Sequence, residues 1–244
     1  MNQDLESLFT PWKIGNCEIK NRIVMTSMGG TSIFGWMEPH HFDQEAANYL
    51  LEKAQNNVGL ILPGIAPVRN MLGGQWLYKA DGAFAKLKDF MDEIHKTDTK
   101  MFVQLTAGFG RSFSVSAPME MMVSNPILKA ISKPIFDVER LCAGPSEAPN
   151  RWSDKVPSRP LTVQEIHDLV DGFAKTAKKC QEAGVDGVEI HAYPTYPADA
   201  RWFHHHLSWD MSCDLPCDLS FQGPDPQARS CPWLQWFYCP WSAY

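Results

Sequence analysis

Residues 162–191 read TVQEIHDLVDGFAKTAKKCQEAGVDGVEIH and contain one complete helix-to-strand passage. Thr162 followed by Glu165 is a capping box, in which hydroxyl and carboxylate each satisfy a backbone N–H left open at a helix start. Ile166, Leu169, Val170, Phe173 and Ala177 then recur on one face at a helical period. Gly184 stops the helix after Ala183, and Val185–His191 is an apolar run of strand length. A helix that feeds a nearly continuous apolar strand is the second half of a βαβ unit, the building block of a parallel sheet with helices outside.

The same alternation runs upstream. Asn21–Met28, NRIVMTSM, is a first strand, and His41–Asn56 is an amphipathic helix carrying Phe42, Ala46, Tyr49, Leu50 and Ala54. Val58–Ile65 is a second strand, Asp81–Lys96 a second helix and Lys100–Thr106 a third strand. The Gly- and Pro-containing stretch between Ser112 and Pro160 reads as a long loop over the strand ends, a place for a substrate lid. Doubly wound sheets and (β/α) barrels both satisfy this pattern, and periodicity does not choose between them. No G-x-G-x-x-G follows the first strand, where Thr26, Ser27, Met28, Gly29 and Gly30 stand instead, and no Walker-type loop occurs.

In barrels the chemistry gathers where strands finish. Those positions hold Thr26, Ser27 and Met28, then Gly64, then Gln104, then Glu189 and His191. A glycine that admits a ring, an amide and an imidazole suit a flat, hydrogen-bonding heteroaromatic ligand, a description that a flavin fits.

These stretches also carry a resemblance. LFTPWKIGNCEIKNRIVMTSM at 8–28 resembles the amino-terminal signature of the Old Yellow Enzyme family, the FMN-dependent ene-reductases. VGLILPGIAP, MFVQLTAGFGR, PNRW, PLT-x-x-E-I and AGVDGVEIHA follow in the family's order, so the likeness covers residues 8–192. Within the family it is similar to the branch of 2,4-dienoyl-CoA reductase and the bile-acid or enoate reductases of anaerobes. The resemblance implies an α/β fold of the (β/α)8 TIM-barrel family, of which the first four βα units are present. It implies FMN, with NAD(P)H as electron donor, and a small-molecule enone or enoyl substrate whose activated C=C bond is reduced. Thr26, Ser27, Met28, Gly64, Gln104 and His191 are its flavin contacts. His191 also orients the substrate carbonyl, and Tyr196 falls near the family's proton-donating tyrosine. Pro194 stands where a second orienting residue belongs and cannot donate a hydrogen bond. Arg111 lies one residue further from Gln104 than the commoner Q-L-x-H-x-G-R form places it, which leaves it without an assigned role.

Composition changes near residue 191. No lysine follows Lys179 and no Val or Ile follows Ile190, whereas 192–244 holds five of the nine Trp and four of the seven Cys. Prolines at 194, 197, 216, 224, 226, 232 and 240 interrupt any long element there. The expected division is therefore 1–191, the amino-terminal part of an FMN-binding barrel, and 192–244, an irregular tail. The tail reads as a chain translated in a shifted frame, with an aromatic-rich extension as the alternative. On that reading the enzyme has as its alternative an inactive half-barrel fragment without competent FMN binding, one that self-associates through its open sheet edge.

The tail's Cys213, Cys217, Cys231 and Cys239 lack the close spacing of the family's iron–sulfur members, so no such cluster is expected. Nor does the spacing of those cysteines and His204, His205 and His206 make a zinc site, and no metal is expected. With 244 residues, 44% hydrophobic and a net charge of -6, the chain is globular and lacks the basic stripe of a nucleic-acid binder. No apolar run approaches a membrane span, the amino end carries no export signal, and an odd cysteine count argues against a disulfide framework. A cytoplasmic protein is expected.

Overall fold

The computed structural model describes residues 3–191. The chain opens with a 3-10 turn and a hairpin of β1 (Trp12–Ile14) and β2 (Cys17–Ile19), paired Trp12 to Ile19 and Ile14 to Cys17. Gly15 turns the hairpin at φ 55°, a left-handed conformation that favours glycine in so tight a turn. The indole Nε1 of Trp12 donates to the carbonyl of Asn21 at 2.7 Å and ties the hairpin to the strand that follows.

Four strand positions then form one parallel sheet. β3 (Val24–Met25) pairs with β4 (Leu60–Ile61), and β4 pairs with the start of β6 (Lys100–Thr106). β5 (Ala66–Pro67) pairs with the far end of β6, Ala66 opposite Leu105. β4 and β5 are thus two pieces of one strand, interrupted where Pro63 has no N–H to donate. Its neighbour Gly64 turns its N–H to Thr31 instead, reaching the carbonyl at 3.1 Å and Oγ1 at 2.9 Å. β7 (Gly187–Ile190) lies on the other side of β6, Phe102 opposite Gly187 through Leu105 opposite Ile190.

Spatial order therefore follows chain order. A doubly wound sheet must reverse direction at a switch point, whereas consecutive right-handed crossovers in one direction put every helix on the same face. This is the winding of a (β/α) barrel. The helices are α1 (Gln44–Gln55), α2 (Asp81–His95) and the long α6 (Val163–Glu182). Asp43 caps α1 by accepting from the Ala46 N–H, and the expected capping box of Thr162 and Glu165 is present at α6. Ile61, Met101, Val103, Leu105 and Val188 on the outer sheet face pack against Leu50 of α1, Leu87 and Met91 of α2 and Phe173 and Ala177 of α6.

The stretch between Ser112 and Pro160 departs from the long loop expected of it. It contains α3 (Ala117–Ser124), α4 (Pro126–Ser132) and α5 (Val138–Leu141), with a small core of Phe113, Val115, Val138, Leu141, Cys142 and Val156 built on Met71. Asn150 of the PNRW motif pins it, donating to the Phe113 carbonyl and accepting from the Trp152 and Ser153 N–H groups. Arg140 Nη2 donates to the carbonyls of Asn70 at 3.2 Å and Met71 at 2.9 Å, joining this unit to the segment after β5.

Candidate active site at the strand ends

Side chains alternate faces along a strand, so partner register fixes which residues look inward. The inner series are Leu60 and Leu62; Phe102, Gln104 and Thr106; Gly187, Glu189 and His191, while Gly64 lies where the register slips by one residue between Leu60 opposite Lys100 and Ala66 opposite Leu105. Their lower members are apolar: Leu60, Leu62 and Phe102 pack on Ile14 and Ile19 of the hairpin, which plugs that end. The ring of Phe102 lies over Gly187, where a Cβ would meet it at 2.8 Å. The upper members are polar. An apolar floor with hydrogen-bonding groups above it is the layout of a ligand site rather than of a uniform core.

Gln104, almost wholly buried, stands in register with Glu189 and donates its amide N–H to that carboxylate. Burial pushes the Glu189 carboxyl above its ordinary range, and the Gln104 hydrogen bond offsets part of the rise. His191 continues the ladder by donating its backbone N–H to Leu105 O at 2.8 Å. Its ring stands edge-on to Phe109, centroids 6.2 Å apart at 74°, and Phe109 lies 5.2 Å from Trp36. Trp36 comes from the segment after β3 and Phe109 from the segment after β6, so three strand ends meet through these rings. Burial lowers the His191 pKa, which keeps the imidazole neutral at neutral pH.

Thr26 and Met28 extend the inner parity of β3 and are exposed, Met28 by 43%. Ser27 falls on the opposite parity and is half-buried, so its side chain is not brought into the inner series with Gln104 and His191. At Gly64 a Cβ would lie 2.5 Å from Met28 O and 2.7 Å from Ser32 N, so the close approach of the first loop by itself requires a glycine there. Its close approach to the first loop sets the position of Met28. Tyr196 and the tail's histidines and cysteines lie outside the described residues. Among the described residues, no group of three or more His, Cys, Asp or Glu is placed to hold a metal ion, and no helix is long and apolar enough to cross a membrane.

Reading the strand ends names Glu189 beside His191 without giving it a role, and passes over other residues altogether. His40 reaches the Pro67 carbonyl at 3.0 Å through Nε2, and Asn70 donates to Glu38 O; neither contact has a local sequence signature. Buried polar atoms without a hydrogen-bond partner include His40 Nδ1, Asn70 Oδ1, Arg111 Nε, Ser112 Oγ and Glu189 Oε2. All five follow the carboxyl ends of strands or lie beside them.

Comparison with known proteins settles the kinship. Residues 7–199 match the NADH:flavin oxidoreductase / NADH oxidase family. The chain belongs to that family. A cinnamate reductase of Clostridium sporogenes is 30% identical over 199 residues, covering 79% of this chain and 27% of the relative. An NADPH dehydrogenase of Bacillus pumilus is 27% identical over 198 residues, covering 78% of this chain and 49% of the relative. The solved structure of the Old Yellow Enzyme homologue from Zymomonas mobilis superposes with a TM-score of 0.53 at 23% identity, covering 76% of this chain and 48% of that one. The Old Yellow Enzyme resemblance and the TIM-barrel fold are both borne out, and the chain spans about a quarter to a half the length of these relatives.

Proposed function

We propose that the protein is an FMN-dependent oxidoreductase that reduces activated C=C bonds of α,β-unsaturated carbonyl compounds with NAD(P)H. The observation that carries this reading is the polar upper half of the inner sheet face, where Gln104, Glu189 and His191 gather above an apolar floor in a chain of flavin-oxidoreductase kinship. The donor set suits a flavin, whose pyrimidine edge alternates carbonyl and N–H groups, and the orphaned buried polar atoms near the strand ends mark that end as the one adapted to a polar ligand. Bound there, FMN supplies hydride chemistry that side chains lack.

The chain's own residues bind and orient. Gln104 would meet the pyrimidine edge and Thr26 and Met28 would flank the ring, with Gly64 holding the Met28 loop in place. Neutral His191 donates an N–H to the substrate carbonyl oxygen, drawing electron density from the β-carbon that accepts hydride. Its contact with Phe109 restricts the ring's orientation. Tyr196 is the proton donor to the α-carbon in this reading. The protein is cytoplasmic on the same reading, and its carboxyl-terminal division falls at 191.

A second reading has a specific observation behind it: among the described residues β3 and β7 each have one strand neighbour, so half of a barrel mouth is in view. On that reading the polypeptide holds FMN weakly and associates through those edges. The purified full chain separates the two. Stoichiometric flavin in its visible spectrum, with NADH or NADPH oxidation that depends on an enone or enoyl acceptor, supports the first. A colourless protein that fails to take up added FMN overturns it in favour of the second.

A further inference from the structure

The proposed chemistry gives no role to the carboxylate of Glu189 on the inner face. It lies directly across from Gln104 in the β6–β7 register and takes an N–H from that amide. Its second oxygen, Oε2, is buried with no partner. An ionised carboxylate only accepts hydrogen bonds, so it turns the nitrogen side of the Gln104 amide toward itself. A primary amide free to rotate about its last torsion presents oxygen or nitrogen to a ligand with equal ease; one tethered through one N–H does not. With that proton committed, Gln104 is left with one carbonyl and one N–H side by side. A flavin's pyrimidine edge offers the matching pair, a ring N–H next to a ring carbonyl.

We infer that Glu189 is a positioning residue that fixes the orientation of the Gln104 amide and thereby the reading of the flavin's pyrimidine edge. The inference rests on the proposed FMN site and deepens it. Burial raises the Glu189 carboxyl and the Gln104 amide offsets part of that rise, so each group bears on the other's state. A purely structural carboxylate on a strand has no need of an inward face or of a partner that itself faces a ligand.

The test is a double-mutant cycle read by FMN affinity, using fluorescence quenching of FMN titrated with the full chain stripped of flavin. Wild type, Glu189→Ala, Gln104→Ala and the double variant are compared, with Glu189→Gln as the conservative substitution. Each single alanine variant is expected to weaken FMN binding roughly ten-fold, the worth of one good hydrogen bond. The double variant is expected to be no weaker than Gln104→Ala alone, because Glu189 acts through Gln104. Glu189→Gln keeps an acceptor for the Gln104 N–H and is expected to recover most of the affinity while raising the flavin midpoint potential, since a negative charge near the ring disfavours its reduced form. Multiplying losses in the double variant, or a Glu189→Gln protein with unchanged potential, overturns the inference and leaves the flavin site standing. A wild-type chain that binds no FMN overturns the functional reading itself, and the inference with it.

Discussion

Replacing Gly64 by alanine tests the reading of the strand-end loop through steric fit alone. Gly64 has no positive φ, so alanine can adopt its backbone conformation, and the substitution removes freedom from the unfolded chain worth about 0.4–1 kcal/mol in favour of folding. Against this stands the new methyl, 2.5 Å from Met28 O, 2.7 Å from Ser32 N and 3.1 Å from Thr31 C, all backbone atoms. The nearest contact is nearly an ångström short of ordinary van der Waals separation. The loop cannot rotate out of the way without breaking the hydrogen bonds from Gly64 N to Thr31 and from Thr31 Oγ1 to Met28 O. Overpacking of this kind costs about 1–3 kcal/mol, so the net effect is a loss of about 1 kcal/mol and a fall in Tm of about 2–4 °C. Gly82→Ala is the matched control. Gly82 sits in the first turn of α2, has no positive φ, and a Cβ there meets nothing within 4 Å. That variant is expected to gain up to about 1 kcal/mol. Thermal unfolding followed by circular dichroism at the helix band reads both. A Gly64→Ala protein as stable as wild type, or a Gly82→Ala protein equally weakened, refutes the assignment of Gly64 to the loop contact.

Glu165 gives a pH prediction. Arg159 first, through hydrogen bonds from both terminal nitrogens, and then the Thr162 N–H hold its carboxyl down to about 2 against the opposing effect of burial. The folded value lies below the unfolded one, so the stabilisation is complete above about pH 5 and is lost as pH falls toward 2; allowing for partial exposure it amounts to about 1–2 kcal/mol. The gap in urea midpoint between wild type and Glu165→Gln should therefore be open at pH 6 and narrowed at pH 3, and a gap that widens in acid contradicts the sign. Burial pushes the Cys142 thiol up to about 11 and the Cys180 thiol up to about 12. Peptide mapping after iodoacetamide at pH 8 should find both unmodified in the native protein and alkylated in guanidinium, and rapid native labelling of either would show the packing to be wrong. For His191, whose pKa is lowered by burial, kcat/KM should show no histidine inflection between pH 6.5 and 8, and His191→Ala should lower it by roughly a hundred-fold through loss of a carbonyl donor. An inflection near 7 would mean that the charged imidazole does the work.

Much of the scaffold is legible because it is built from local signals. β6 runs from Lys100 to Thr106 as its apolar run does, and α6 begins at a capping box visible as Thr162 and Glu165. The first strand is shorter than its apolar run, and the second is broken, because Pro63 and Gly64 direct their backbone away from the ladder. α3 to α5 were hidden by the composition of the stretch around them. Yet two of their starts carry local signals: Asn125 before Pro126 accepts from two backbone N–H groups, and Asp137 caps Val138–Leu141. Which of those short helices survive depends on Met71 packing into their core and on Arg140 of α5 reaching back to the Asn70 and Met71 carbonyls, and no window of sequence holds that information.

The site was harder to read than the scaffold for a reason particular to parallel sheets. Such strands are buried on both faces, so their apolar runs conceal the period-two alternation that an exposed sheet displays. Val103 and Leu105 are as apolar as Phe102, and only the register to Val188 and Ile190 sorts them onto opposite faces. Once sorted, Phe102–Gln104–Thr106 and Gly187–Glu189–His191 each turn from apolar or bare to polar in the same direction along the strand. That shared gradient brings in Glu189 beside Gln104 and His191 and separates Ser27 from Thr26 and Met28. Phe109 carries no such signal: its contact with His191 exists because segments after different strands are brought to one mouth by the winding of the sheet. Residue identity at strand ends therefore names the chemistry, and register decides which of those residues share it.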